Sequence, residues 1–539
     1  MSGTIQLLIM LMVVLAAVGV AARRLNTPPA ILLVLVGAAL ALTPGLPAME
    51  LAPEVVLLLI LPPIIYWSAV AMSWREFRFN LRPIVLLAVG CVIFSAFAVA
   101  AAMHWLLGLP LLLGFVVGAI VSPPDAVAPL SIARRMRIPR RIVVVLEGEG
   151  LGNDATALIL YRFAVVAVSF GTFSISQAVG TFAMIVFGEI LWGVGVGWAM
   201  LRLRQWVKDP SIEITLSLIT PFLAYWPPEY LGGSGVLATV TVGLYVSWNG
   251  PNLISSATRL QGIFFGGFIM YLIEGMIFLI TGLQARTLAA SLHGYSVFEL
   301  ASTAIVVCLV LIAARFVWVY PTIYLPRLLV PAIRRADPSP PWQWAFVLSF
   351  TGVRGIVSLA AALAIPLTIA NGAPFPGRDL ILFVTFTVIL VTLVVQGLLF
   401  PLVIRALNLA DAGRRERALD HRHEQEARQE AITAALACLD QLVRKDKLSD
   451  ELVRPIRAEH RERLRHIENR TRGDESHRKQ TELHDEIELK LIAAERQRIN
   501  ELYRAGKIID EARRRIEREL DLREAQLANP KAEAPDVGV

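Results

Sequence analysis

Thirteen mostly apolar stretches, each close to the length of a membrane-crossing helix, follow one another through residues 1–405 and leave few folds open to this chain. A helix that spans a bilayer needs about 20 such residues. Lipid offers no hydrogen bonds, so the backbone must satisfy its own. The stretches fall at 4–22, 29–46, 53–72, 83–106, 109–132, 142–169, 175–201, 211–225, 234–249, 262–283, 297–325, 343–366 and 380–404. The eighth and ninth are short and flanked by proline and glycine. The pattern predicts an all-α polytopic membrane protein of about 13 transmembrane helices. Charge then divides the chain. Residues 1–405 hold 38 Asp, Glu, Lys and Arg, whereas 406–539 hold 57, so we expect a membrane domain at 1–405 and a charged helical cytoplasmic domain at 406–539.

This division excludes several classes. A chain that is 55% hydrophobic and 18% charged is not an ordinary soluble domain. Three separated cysteines (Cys91, Cys308 and Cys438) make no disulfide scaffold. The net charge is +8 before residue 406 and −1 after it, so the basic excess sits in the apolar part and no nucleic-acid partner is expected. Lys and Arg instead report orientation. Loops after odd-numbered stretches carry 17 of them and loops after even-numbered ones carry Arg286 and Arg378 only. By the excess of positive charge on cytoplasmic loops, the N-terminus is expected outside and the tail in the cytoplasm. The N-terminal stretch lacks a basic leader and a small-residue cleavage site, and reads as a retained helix.

Ionisable residues are costly inside a membrane and mark function or pairing. They concentrate in two places. The fifth stretch reads GAIVSPPDAVAPL, where Pro123 and Pro124 precede Asp125 and deny the helix two backbone donors. The sixth reads LEGEGLGNDATALILYRF, with Asn153 one turn after Glu149 and Asp154 seven residues after Glu147. The twelfth, FTGVRGIVSLAAALAIP, sets Arg354 between Gly352 and Gly355. Stretches five and twelve are both expected to be broken. Their odd offset makes them run in opposite directions, as in inverted-repeat transporters. Carboxylates, an amide oxygen and freed carbonyls are hard oxygen ligands that suit a cation such as sodium. No Cys/His cluster suggests a transition metal, and no cofactor is expected. Arg162 is placed to snorkel or to pair with Glu189, and Glu213, near the start of the eighth stretch, reads as a carboxylate favoured by the helix dipole.

In the tail, Ile499, Leu502, Ile509, Ile516 and Leu520 form an apolar stripe among Glu and Arg, with breaks expected at Pro455, Gly473 and Gly506. The tail reads as a solvated helical appendage with a modest self-packing seam, and its last twelve residues as disordered.

At this point the motifs resemble a known family. SPPDAVAPLSIARRMRIPRRIVVVLEGEGLGNDATALILYRFAVVA resembles the core of the monovalent cation:proton antiporters, the sodium/proton exchanger family. LPPIIYWSAV, LIEGMIFLITGL and TGVRGIVSLAAALAIP are similar to its other motifs, in order. The resemblance implies a secondary antiporter that exchanges protons for a monovalent cation, most simply sodium, by alternating access, for pH and sodium homeostasis. It implies Asp154 as the residue that binds cation and proton in turn. Asn153 is implied as the partner typical of an electroneutral branch. Glu149 is implied beside them and paired with Arg354, and Asp125 as the acidic residue of the broken helix. Glu274 and Arg315 are implied as a buried supporting pair. A homodimer in a bacterial inner membrane is implied as well. The sequence departs from the family pattern at Gly150 and Gly152, where a hydroxyl is lost, at Pro124 and Ala126, and at Trp67, where many members carry an acid. A potassium/proton exchanger, a gated cation channel, and a sensor signalling through the tail remain alternatives. A membrane hydrolase lacks its carboxylate spacing and any Ser/His or H-E-x-x-H set.

Overall fold

The computed structural model describes residues 2–25, 27–43, 52–170, 175–207, 209–290, 296–369, 372–446, 448–471 and 475–533. It forms two compact units, Met1–Ala410 and Asp411–Val539. Both are helical. Among the described residues the only β pairing is an isolated bridge between Thr368 and Pro374.

Among the described residues, seven helices of the first unit are long and apolar enough to cross a membrane: 8–25, 81–107, 140–169, 179–206, 256–288, 297–329 and 378–406. Shorter apolar helices occupy Pro29–Ala41, Val55–Ala71 and Leu111–Val121. The eighth and ninth stretches form the helices Pro210–Tyr230 and Val236–Leu253, longer than their apolar runs suggest. Asp209 caps the first of these, its carboxylate accepting from Ser211 N at 2.8 Å and Ile212 N at 3.2 Å. Large side chains such as Met184, Phe187, Ile263 and Phe264 stand outward, as expected of a lipid-facing surface. Inside, small residues let backbones meet: Gly37 and Gly282 lie where Pro29–Ala41 crosses Ser256–Leu283, and neither site has room for a Cβ.

Both expected breaks are present. The fifth stretch is helical over Leu111–Val121 and again over Val127–Arg135. The twelfth is helical over Trp342–Phe350 and Ile356–Leu363, with non-helical backbone at residues 351–355 between them. The sixth stretch is one unbroken helix, Arg140–Phe170.

Two pairings differ from expectation. Arg162 bonds Glu229 and the Gly233 carbonyl, not Glu189. Glu189 instead accepts from Ser234 N at 2.6 Å, Gly235 N at 3.1 Å and Leu237 N at 3.0 Å, at the start of Val236–Leu253. Several orphan amides at a helix N-terminus outcompete one flexible guanidinium. Outside the spanning helices, Asp337 gathers three arginines: Arg82 at 3.0 Å, Arg141 at 2.8 Å and Arg327 at 2.6 Å. Desolvation pulls its carboxyl up, but the hydrogen bond and charge of Arg141 and the charges of Arg327 and Arg82 outweigh it and hold the group below its ordinary value.

The second unit comprises helices Asp450–Thr471, Glu475–Arg504 and Asp510–Glu533, preceded by most of Leu409–Asp446. Gly506, at φ 69°, separates the last two. They fold back on each other, with Arg496 bonded to Asp521 at 2.8 Å and Glu524 at 2.5 Å, and with Ile492 and Leu520 buried. Ile509 is exposed, because it falls in the turn and not on the seam. Pro455 does not break its helix, although it lies inside it, in the second turn. Helix also runs to Glu533, into the segment expected to be disordered, while Gly473 and 534–539 lie outside the described residues.

Candidate ion-binding site

The two breaks cross each other. Asp125 N donates to the Val353 carbonyl at 2.7 Å, so the orphan groups of one interrupted helix are satisfied by the other. Arg354 N donates to Thr392 Oγ1 at 2.9 Å, and Thr392 lies in a wider π-helical turn at Thr392–Gln396 that brings it to the break. The side chain of Asp125 turns back to accept from Val127 N at 2.9 Å, in the first turn of the resumed helix. It lies directly over Gly355, where a Cβ would stand 2.5 Å from the Asp125 Cβ. Gly355 has an extended backbone open to any residue, so contact alone demands glycine here. Gly355→Ala is therefore expected to reach the membrane folded and to lose exchange more than about tenfold by parting the breaks. Transport per folded molecule, with yield measured by gel filtration, checks this.

The helix Arg140–Phe170 passes the crossing and divides its polar residues between two sides. Asn153 is fully buried and donates from Nδ2 to the Pro124 carbonyl at 2.5 Å, using an oxygen that the broken helix leaves free. Its Oδ1 has no hydrogen-bond partner among the described residues. Gly150 sits against Ala126, and a Cβ at Gly150 would come within 2.6 Å of the Ala126 methyl. The departures at 126 and 150 are thus spatial neighbours: two small residues allow close approach where the resembling pattern carries a hydroxyl.

Glu149 forms a two-pronged ion pair with Arg315: Nη1 to Oε1 at 2.5 Å and Nη2 to Oε2 at 2.7 Å. Arg315 also donates from Nε to the Leu348 carbonyl at 2.8 Å, and both side chains are almost wholly buried. This corrects both implied pairings. Glu149 pairs with Arg315, not Arg354, and Arg315 does not pair with Glu274. Arg354 is buried, and its Nε and Nη1 have no hydrogen-bond partner among the described residues. Its position in the crossing loop keeps it from matching the fork-to-carboxylate geometry that Arg315 reaches from its helix.

Asp154 and Asp125 both line a cavity of about 930 Å³. Glu274 lines it too, and Glu147 is bonded to Arg134 at 2.7 Å on its wall. The cavity reaches Arg134, Arg204 and Arg259, which belong to three of the connections after odd-numbered stretches, where the basic residues gather. Much of its lining is apolar, including Trp67, whose Nε1 has no partner. A carboxylate on a cavity wall, beside two interrupted helices, can hold a proton or a small cation.

Comparison with known proteins agrees with this geometry. The family described as sodium/hydrogen exchanger, transmembrane, matches residues 9–406. The chain belongs to this family. The exchanger is 35% identical over 523 residues to an uncharacterized Na(+)/H(+) exchanger of Mycobacterium tuberculosis, covering 94% of this chain and 93% of the relative. It is 31% identical over 416 residues to a Na(+)/H(+) antiporter of Aphanothece halophytica, covering 77% and 75%. A sodium, potassium, lithium and rubidium/H(+) antiporter of Bacillus pumilus is 31% identical over 366 residues, covering 66% of this chain and 54% of that one. The sodium proton antiporter MjNhaP1 of Methanocaldococcus jannaschii shares the fold, with TM-score 0.60 at 20% identity over 74% of this chain and 97% of that one. The exchanger is thus a multi-pass membrane protein of a family of cation/proton antiporters, which are transporters. The mycobacterial match runs on into the tail, beyond the reach of the family's own pattern.

The sequence alone does not disclose that Arg204 and Glu213 are buried on the cavity wall. The one signal available was Ser217, a turn after Glu213 on the same helix face.

Proposed function

We propose that the exchanger moves one monovalent cation, sodium first among candidates, against one proton, with Asp154 as the shared site. The observation that carries this is Asp154 on the cavity wall beside the crossed breaks, with Asp125 on the same wall. Facing the more acidic outside, Asp154 takes a proton. Facing the cytoplasm, it releases the proton and binds the cation, with Asp125 and oxygens of the breaks completing the shell. One carboxylate cannot hold both, so alternating access couples the two fluxes. Asn153 supports electroneutral exchange, since it adds an amide and no second titrating group beside Asp154. The Glu149–Arg315 pair holds the helix Arg140–Phe170 in place, and Arg354 offsets negative charge near the crossing.

The cavity runs to the loops rich in Arg, which supports an open path to the cytoplasm with the N-terminus outside. A second copy of the chain as partner and an inner-membrane location follow the family reading, as does a domain boundary near residue 405. The Bacillus relative's range of ions keeps potassium, lithium and rubidium in play. The test is proton movement in acid-loaded proteoliposomes on adding sodium, potassium or lithium in turn. A cation that drives proton efflux is a substrate. Protein that is folded and oriented yet responds to none of them contradicts the reading.

A further inference from the structure

We infer that Glu213 is a second cation-binding station, on the path between the Arg-rich side and Asp154. This rests on the reading of the cavity as the cation's route. Glu213 is 2% exposed, and among the described residues its Oε2 has no hydrogen-bond partner although the residue lines the same cavity as Asp154. A buried, unpaired carboxylate is costly and calls for a counter-ion. Among the described residues, no cation of the cavity wall is paired with it: Arg134 bonds Glu147, and Arg259 bonds the Pro251 and Ile254 carbonyls. Arg204, 3% exposed, turns to the Tyr66 hydroxyl and Thr220 Oγ1, each at 3.4 Å, and its own Nε is left without a partner.

The groups beside Glu213 are oxygen donors. Ser217 lies one turn on along Pro210–Tyr230, on the face that Glu213 shares, and its hydroxyl is 3.3 Å from that of Tyr66. Both residues line the cavity. A carboxylate with two hydroxyls and room for water suits an alkali cation that keeps part of its hydration. The nearby guanidinium weakens the hold, as a station that must pass its ion onward requires. Helix-dipole stabilisation alone explains a carboxylate in the first turn, but not its burial against a cavity with an oxygen left bare.

The experiment uses the full-length protein and sodium as probe. Glu213→Gln is expected to raise the apparent KM for sodium about fivefold or more while the maximal rate falls less than about twofold, the signature of lost ground-state binding. Glu213→Asp keeps the carboxylate and is expected to recover most of the affinity. Purified Asp154→Asn protein is expected to retain weak binding of radioactive sodium, and Asp154→Asn/Glu213→Gln to lose it. An unchanged KM in Glu213→Gln overturns the station, as does equal sodium binding with and without Glu213. Absence of any sodium binding in Asp154→Asn means that Glu213 carries a proton instead, and overturns it as well. If Asp154→Asn exchanges ions normally, the Asp154 reading falls, and the KM of Glu213→Gln still decides this one.

Discussion

Asp154→Asn is expected to abolish exchange, cutting cation-driven proton movement by more than about a hundredfold while leaving the protein folded. The substitution keeps size and polarity but removes the group that carries either proton or cation. Asp154 makes no ion pair that the fold depends on; it faces the cavity, so folded yield should match the wild type. Asn153→Ala should behave differently. Asn153 ties the helix Arg140–Phe170 to the Pro124 carbonyl, so its loss disturbs geometry before chemistry. Proteoliposomes holding equal amounts of each variant, assayed with the cation that serves the wild type, separate the two.

The second large effect concerns stability. Arg315→Met strands Glu149 in a buried site and is expected to cost about 3–5 kcal/mol, as is Glu149→Leu, which strands Arg315. Removing both charges together is expected to recover most of that loss, because a buried pair is worth little net over apolar side chains of similar volume. Arg354→Met should not rescue Glu149→Leu, since Arg354 is not the partner. Melting temperature in detergent, followed by gel filtration, gives all four comparisons. Equal melting of Arg315→Met and wild type would show that the pair is not formed.

Much of this was legible in the residues, and the limits have physical reasons. Pro123–Pro124 and the glycines around Arg354 mark the breaks because they act on the backbone directly, and local sequence records backbone constraints well. Asp125 and Asp154 stand out because a carboxylate in an apolar run has few innocent explanations. Partner choice is less visible. Glu149 lies within reach of more than one arginine in the family pattern, and only the direction of each guanidinium decides between Arg315 and Arg354. Arg162 went to Glu229 for a similar reason: Glu189 was already taken by helix-end amides, which carry no sequence letter. Arg204 and Glu213 sit at helix ends, where charge is unremarkable until the cavity wall is seen to bury them. Gly150 and Ala126 look like separate departures in sequence and become one only when their helices touch.

The central claim is that proton and cation compete for Asp154. The most direct measurement is the apparent KM for the transported cation as a function of pH, in proteoliposomes held at equal pH on both faces. Competition predicts that KM climbs as pH falls, towards about tenfold per pH unit for one competing proton, while the maximal rate at saturating cation stays level. A constant KM with a maximal rate that falls in acid would place proton and cation on different groups, and would contradict a shared site.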